Sequence, residues 1–276
     1  MSSPVISLTN VYHSYNRGTP IEKAVLKDIT LEVKEGETLG IIGKPGSGKT
    51  TLAKTMASLI TPSSGTLRSP GMGPGKTGLL FQFPEHQLFC DTVFNDITYS
   101  MRELANVNES EIELIYKDAC IKAGLDPDSF RNCRESEVSS GEKRRVAIAS
   151  VLAMNPSILI LDEPAAGLDN IGKAAILKEL KKLSGDGLTL VVVSHEIEDL
   201  TDIVERLVFI DEGRIQCDGA VTDVLLKIAE DDNATSLLPY VTEIMIRLEK
   251  RGFPVKRDIY DANMVIREIK RVFEDI

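Results

Sequence analysis

Several stretches of the chain are apolar with little alternation, and all are short: Leu39-Gly40-Ile41-Ile42, Gly78-Leu79-Leu80-Phe81, Ser157-Ile158-Leu159-Ile160-Leu161 and Leu188-Thr189-Leu190-Val191-Val192-Val193. Strands covered on both faces read this way, because neither side of the pleat meets water. Ahead of them, Val5-Ile6-Ser7-Leu8 and Ile29-Thr30-Leu31-Glu32-Val33 alternate, with Gly18-Thr19-Pro20 as a turn between them. That pattern predicts an antiparallel layer over residues 5–35. From about Val93 to Ala123 the period changes, and Ile112, Ile115, Tyr116, Ala119 and Ala123 recur at three- and four-residue steps. A helical insertion between two sheet-forming parts is expected there. Helical faces are also expected at Leu52, Met56, Leu59 and Ile60, at Ile171, Ala174, Leu177 and Leu180, and at Leu237, Val241, Ile244, Met245 and Leu248. A strand pair is predicted around Asp211-Glu212-Gly213-Arg214, and a last short helix at Val265, Ile269 and Val272.

The first apolar run opens into Gly43-Lys44-Pro45-Gly46-Ser47-Gly48-Lys49-Thr50-Thr51. Gly43, Gly48, Lys49 and Thr50 fit the phosphate-binding pattern G-x-x-x-x-G-K-[ST], with a strand before it and a helix after. Each part has a physical task. Glycines let the backbone wrap a phosphate, so that successive N–H groups and a helix N-terminus point at the anion. Lys49 supplies a point charge for the β- and γ-phosphates, and the Thr50 hydroxyl can ligate Mg²⁺. A nucleoside triphosphate is the expected ligand.

Composition narrows the picture without adding chemistry. The 276 residues suffice for one large domain or a core domain with an appendage. A net charge of −10 without a basic cluster argues against nucleic acid. Cys90, Cys120, Cys133 and Cys217 lack C-x-x-C spacing, which speaks against zinc and for a reducing compartment. No apolar run approaches the ~18 residues of a membrane span, and the N-terminus lacks the layout of a secretory signal. Any membrane association is therefore expected to go through a partner.

Further polar groups follow the other apolar runs: Gln82, then Asp162-Glu163-Pro164, then His195. In an extended chain Asp162 and Glu163 point to opposite sides, so Asp162 can face Mg²⁺ while Glu163 reaches a different atom. A lone histidine at a strand end is most often structural. Together with Lys49, however, these residues all lie just beyond strand C-termini, which is the ligand-binding edge of an open parallel α/β sheet. Between them, Ser139 and Glu142 form an S-x-x-E capping box. Lys143, Arg144 and Arg145 then crowd the first turns, where the helix dipole disfavours cations, so an anion or acidic partner is expected nearby.

As a set these motifs resemble the ATP-binding-cassette ATPases over about residues 5–220. Gly43–Thr50 matches the Walker A loop, Gln82 the Q-loop glutamine, Val138-Ser139-Ser140-Gly141-Glu142 the L-S-G-G-Q signature, Ile158–Asp162 Walker B, Gly167-Leu168-Asp169 the D-loop and His195 the switch histidine. The resemblance implies an α/β phosphate-loop fold with a RecA-like parallel sheet core, an N-terminal antiparallel layer, a helical subdomain over about 90–155 and a helical appendage over 221–276 suited to packing or dimerising. It implies Glu163 as catalytic carboxylate, Lys49, Gln82 and His195 as its helpers, and Mg²⁺ held by Thr50, Asp162 and Gln82. Tyr15 is the implied adenine-stacking residue, ahead of Tyr12, with ATP cradled by residues 43–51. The resemblance also implies that Ser139 and Gly141 of an opposing subunit close over the γ-phosphate. The signature departs from the pattern at Ser140 and Glu142: the first crowds the loop, and the second adds negative charge near a phosphate unless it folds back to cap its helix.

A narrower resemblance rests on Phe81-Gln82-Phe83-Pro84-Glu85-His86-Gln87-Leu88-Phe89, which is similar to the ATPase subunits of energy-coupling-factor importers of vitamins or trace metals. It implies a second ATPase subunit, identical or not, a transmembrane coupling protein, a separate substrate-binding membrane subunit and a peripheral place on the cytoplasmic face of the cell membrane. Leu88 and Phe89 are then expected to form an apolar docking groove for a partner helix. A soluble ATP-binding-cassette protein and a phosphate-loop kinase are the alternatives.

Overall fold

The computed structural model describes residues 4–104, 107–231, 234–256, 259–260 and 262–273. Strands β1 (Pro4–Tyr15) and β2 (Lys23–Lys34) form the predicted antiparallel pair, joined on the other edge by β4 (Ser64–Arg68) in the order β2-β1-β4. The second sheet holds β3 (Thr38–Ile42), β5 (Thr77–Leu80), β6 (Ile158–Asp162), β7 (Thr189–Ser194), β8 (Arg206–Asp211) and β9 (Arg214–Ala220). Its order is β5-β6-β7-β3-β8-β9, parallel except for the β8–β9 hairpin.

The unbroken apolar runs are explained by what covers the two faces of this sheet. Ile158 and Ile160 of β6, Val191 and Val193 of β7, and Val208 and Ile210 of β8 enter one core, shared with the antiparallel layer and Leu52, Ala53 and Met56 of α1 (Lys49–Met56). Their neighbours Leu159, Leu161, Leu190, Val192, Leu207 and Phe209 enter the other. The helices covering that second face include α2 (Val93–Leu104), α3 (Glu109–Lys122), α5 (Ser140–Leu152), α6 (Asn170–Gly185) and α7 (Val221–Glu230), with the single turn α4 (Pro127–Phe130) between α3 and α5. Successive side chains point to opposite faces, so the middle of a strand between two cores favours apolar residues on both sides, with polar ones at its ends.

The helical pattern needed correction in three places. Helix α1 stops at Met56: Ser58 takes φ 60°, and Leu59 and Ile60 turn outside the helix with their N–H groups donating to the Lys54 carbonyl. In α6 the buried stripe is Ile176, Leu180 and Leu183, while Ile171 is 81% exposed. Ile171 and Leu180 are separated by about two and a half turns at 3.6 residues each, so they stand on opposite sides of the helix. Leu237 precedes α8 (Tyr240–Lys250) and joins the main core, whereas Ile244 is exposed. Met245 of α8 packs with Val265 and Val272 of α9 (Ala262–Phe273) in a small separate cluster. The apolar face of α7, Val221, Val224, Leu225 and Ile228, is continuous with the main core instead. Among the described residues no helix is long and apolar enough to cross a membrane, and all four cysteines are free thiols.

Candidate functional site

The parallel strands deliver their C-terminal ends to one edge. Along it run Gln82 after β5, Asp162 and Glu163 at the end of β6, His195 after β7 and the glycine loop after β3, each on a strand next to the last. The loop is held close to the sheet. A Cβ on Gly43 would lie 2.2 Å from the Ile210 carbonyl oxygen and 2.7 Å from Ser47 Oγ, and Gly48 takes φ 108° directly before α1. Lys49 is buried, its ammonium donating to the carbonyls of Gly43 (2.7 Å) and Lys44 (3.0 Å). Burial holds its pKa below the ordinary lysine range, and the charges of Glu163 and Asp162 oppose that shift. The first turn of α1 presents N–H groups that have no acceptor within the helix. An ammonium facing carbonyls at the mouth of such a turn is a cradle for an anion.

Beside it lies a cavity of about 260 Å³ lined by Tyr15, Lys23, Val25 and residues 46 and 48–51. The Tyr15 hydroxyl is 3.3 Å from Thr51 Oγ1. Tyr12 does not line this cavity. Lys23 and Val25 do, and sequence reasoning missed them. Their signal lay in the two-residue step of β2 and in the pairing of Tyr15 with Lys23 across the hairpin.

Asp162 is 2% exposed, and its Oδ1 is buried without a hydrogen-bond partner. Burial raises its pKa, and a hydrogen bond from the Thr50 side chain pulls the other way. A buried carboxylate oxygen lacking a donor, beside a threonine hydroxyl, is a set of hard oxygen ligands that fits Mg²⁺. Gln82 is solvent-exposed on the neighbouring strand end.

Glu163 departs from the extended geometry expected of it. Its φ is 54°, a left-handed conformation unusual for glutamate that persists only when its surroundings fix it. The Glu163 N–H donates to the Val193 carbonyl at 2.9 Å, and Oε2 lies 2.8 Å from His195 Nδ1. The pair joins the ends of β6 and β7 at the edge where the phosphate loop emerges.

The signature segment is not part of the cavity: neither Ser139 nor Gly141 lines it. Ser139 caps α5, and Glu142 folds back so that one carboxylate oxygen accepts from the Ser139 N–H (2.7 Å) and Oγ (2.6 Å). These bonds hold the Glu142 carboxyl below its usual pKa. The cations that follow find partners within the chain, and for Lys143 that partner is the expected acidic one. Lys143 pairs with Glu135 at 2.7 Å, Arg145 donates to the Gly124 carbonyl, and Arg144 is buried against the backbone after Glu163.

The sequence profile of the ABC transporter family matches residues 26–166. The "Energy-coupling factor transporter ATP-binding protein EcfA2" of Clostridium tetani is 36% identical, covering 98% of both chains. A "Putative ABC transporter ATP-binding protein" of Methanosarcina mazei is 35% identical over 98% of this chain and 93% of its own length. Among solved structures, cbiO1 from Clostridium perfringens, described as part of the ABC transporter complex cbiONQ, superposes with a TM-score of 0.73 at 28% identity, over 91% of this chain and 98% of that one. The ATP-binding cassette MJ0796, a dimer in a post-hydrolysis state bound to ADP and Pi, gives 0.69 at 28% identity over 78% and 98%.

Proposed function

This chain belongs to the ABC transporter family as an ATP-binding and hydrolysing subunit of the energy-coupling-factor type, energising a membrane importer, and from that premise we propose how its residues divide the work. The γ-phosphate rests on Lys49 and the N–H groups of residues 46–51, with the adenine against Tyr15 beside Lys23 and Val25. Glu163 accepts the proton of the attacking water, and His195, bonded to Glu163 at 2.8 Å, fixes the direction of that carboxylate. Thr50, Asp162 and Gln82 would hold Mg²⁺, which when bound neutralises developing phosphate charge. What remains for the chain is positioning and charge neutralisation, the main sources of acceleration in phosphoryl transfer. The Glu163–His195 pair at the mouth of the phosphate loop carries this reading. An assay that separates inorganic phosphate release from transfer to an acceptor tests it: free phosphate is expected, and a phosphorylated small-molecule product would turn the site into that of a kinase.

Ser139 and Gly141 complete the site of a second cassette, identical or not, rather than their own; the dimeric state of MJ0796 supports this division. Glu142 is folded back onto Ser139 and spends its charge on the cap of its own helix, so Glu142→Gln should change ATP-driven dimerisation less than about twofold. Sedimentation of the hydrolysis-deficient protein at graded ATP measures this; dimerisation tightened about fivefold, the ~1 kcal/mol of two charges about 4 Å apart in water-like surroundings, would mean that the carboxylate faces the partner's phosphates.

The remaining partners are a transmembrane coupling protein and a substrate-binding membrane subunit, which place the chain on the cytoplasmic face of the membrane. The nucleotide-binding part is assigned to residues 1–220, with the helical subdomain inserted over about 90–155, and an appendage suited to dimerising to 221–276, whose first helix α7 packs into the main core. The docking groove needs one revision: Leu88 is buried in the main core, while Phe89 is 67% exposed and meets Tyr99 edge-on at 4.8 Å. A cavity of about 410 Å³ beside them is lined by Leu79, Phe81, Phe89, Tyr99, Leu104 and Met154 among others. Leu88→Ser is expected to cost about 3 kcal/mol or more, as core truncations do, seen as a lowered melting temperature. Phe89→Ser should leave folding and ATP hydrolysis intact and lose co-purification with the membrane partner; retained co-purification would move the contact elsewhere.

A further inference from the structure

Arg144 is the fifth residue of α5, the helix that opens with Ser140, Gly141 and Glu142, and it is 4% exposed. A guanidinium near a helix N-terminus is disfavoured by the dipole, and burying it costs more unless its donors are used. Here the Nη1 group is aimed at the backbone directly behind Glu163, donating to the Pro164 carbonyl at 3.1 Å and to that of Ala166. These carbonyls belong to the turn between β6 and α6, which begins with the left-handed Glu163. Glu163 is thus held by three contacts. Its own N–H is tied to β7 through Val193, its carboxylate meets His195, and the turn that follows is pinned by α5.

We propose that Arg144 is a positioning residue for hydrolysis: from the signature helix it fixes the turn that keeps the Glu163 carboxylate on the reacting water of its own chain. The inference rests on the hydrolytic role given to Glu163 above. Both bonds leave one terminal nitrogen, Nη1, carried into the turn by the length of the arginine side chain; a shorter, uncharged side chain reaches less far and donates more weakly. Displacing a reacting group by about 1 Å can cost on the order of 100-fold in rate, so loss of this clamp should act on turnover and leave nucleotide affinity alone.

Arg144→Gln shortens the side chain and removes the charge, whereas Arg144→Lys retains the charge and several N–H donors on one nitrogen. Steady-state hydrolysis in the intact transporter is expected to show kcat lowered by about 10- to 100-fold in Arg144→Gln and closer to the parent in Arg144→Lys, with KM for ATP within about twofold of the parent in both. In a Glu163→Gln background, adding Arg144→Gln should leave ATP-driven dimerisation unchanged, since the position of residue 163 matters only to hydrolysis. A fall in kcat that merely tracks the folded fraction in circular dichroism would overturn the proposal. Weakened dimerisation in the double variant would overturn it too, by making Arg144 a support of the signature helix alone. If Glu163→Gln by itself leaves turnover intact, it is the role of Glu163 that fails, and that outcome is read from the single variant.

Discussion

Glu163→Gln is expected to bind ATP like the parent and to lose at least about 100-fold in turnover, the range of a general base. The substitution preserves the size of the side chain and one oxygen for the contact with His195 Nδ1, now 2.8 Å from Oε2. It removes the negative charge that draws a proton from water. The backbone need not change, because the left-handed φ of 54° is fixed by the Val193 carbonyl and the following turn, neither of which sees the carboxylate. Phosphate release and equilibrium binding of ATP, measured on the same preparation, separate the two effects. Turnover that survives would shift the proton-accepting role to His195.

Lys49→Ala should fail at the earlier step. Its ammonium now donates to the carbonyls of Gly43 and Lys44 at the mouth of the loop. A charge-assisted contact of about 1.5–3 kcal/mol to phosphate is lost with it, which corresponds to about a 10- to 150-fold weaker ATP dissociation constant at 1.36 kcal/mol per tenfold. The two carbonyls left behind add repulsion toward the anion. Binding of a fluorescent ATP analogue would register the loss, and unchanged affinity would mean that this loop is not the phosphate site.

What the sequence determined by itself was local and periodic. The apolar runs of β3, β5, β6 and β7, the hairpin of β1 and β2, the glycine loop and the Ser139–Glu142 cap each depend on spacing within a few residues, and spacing is what a sequence displays. The convergence of Gln82, Asp162, Glu163 and His195 on one edge was also legible, because parallel strands with crossover helices must put their C-terminal ends on the same side. Tertiary structure decided which groups meet across the chain. Lys23 and Val25 joined the cavity only through hairpin register, and Leu88 entered the core while Phe89 did not, although the two are adjacent and both apolar. Arg144, expected with its neighbours near an anion or acidic partner, instead donates to carbonyls of the turn after Glu163. Glu163 itself was expected in extended backbone, and its left-handed turn is held by two distant segments, the end of β7 and helix α5. The Arg144–Pro164 and Glu163–His195 contacts join residues 20 and 32 positions apart. Their formation depends on how the helices settle on the sheet, which no local spacing encodes.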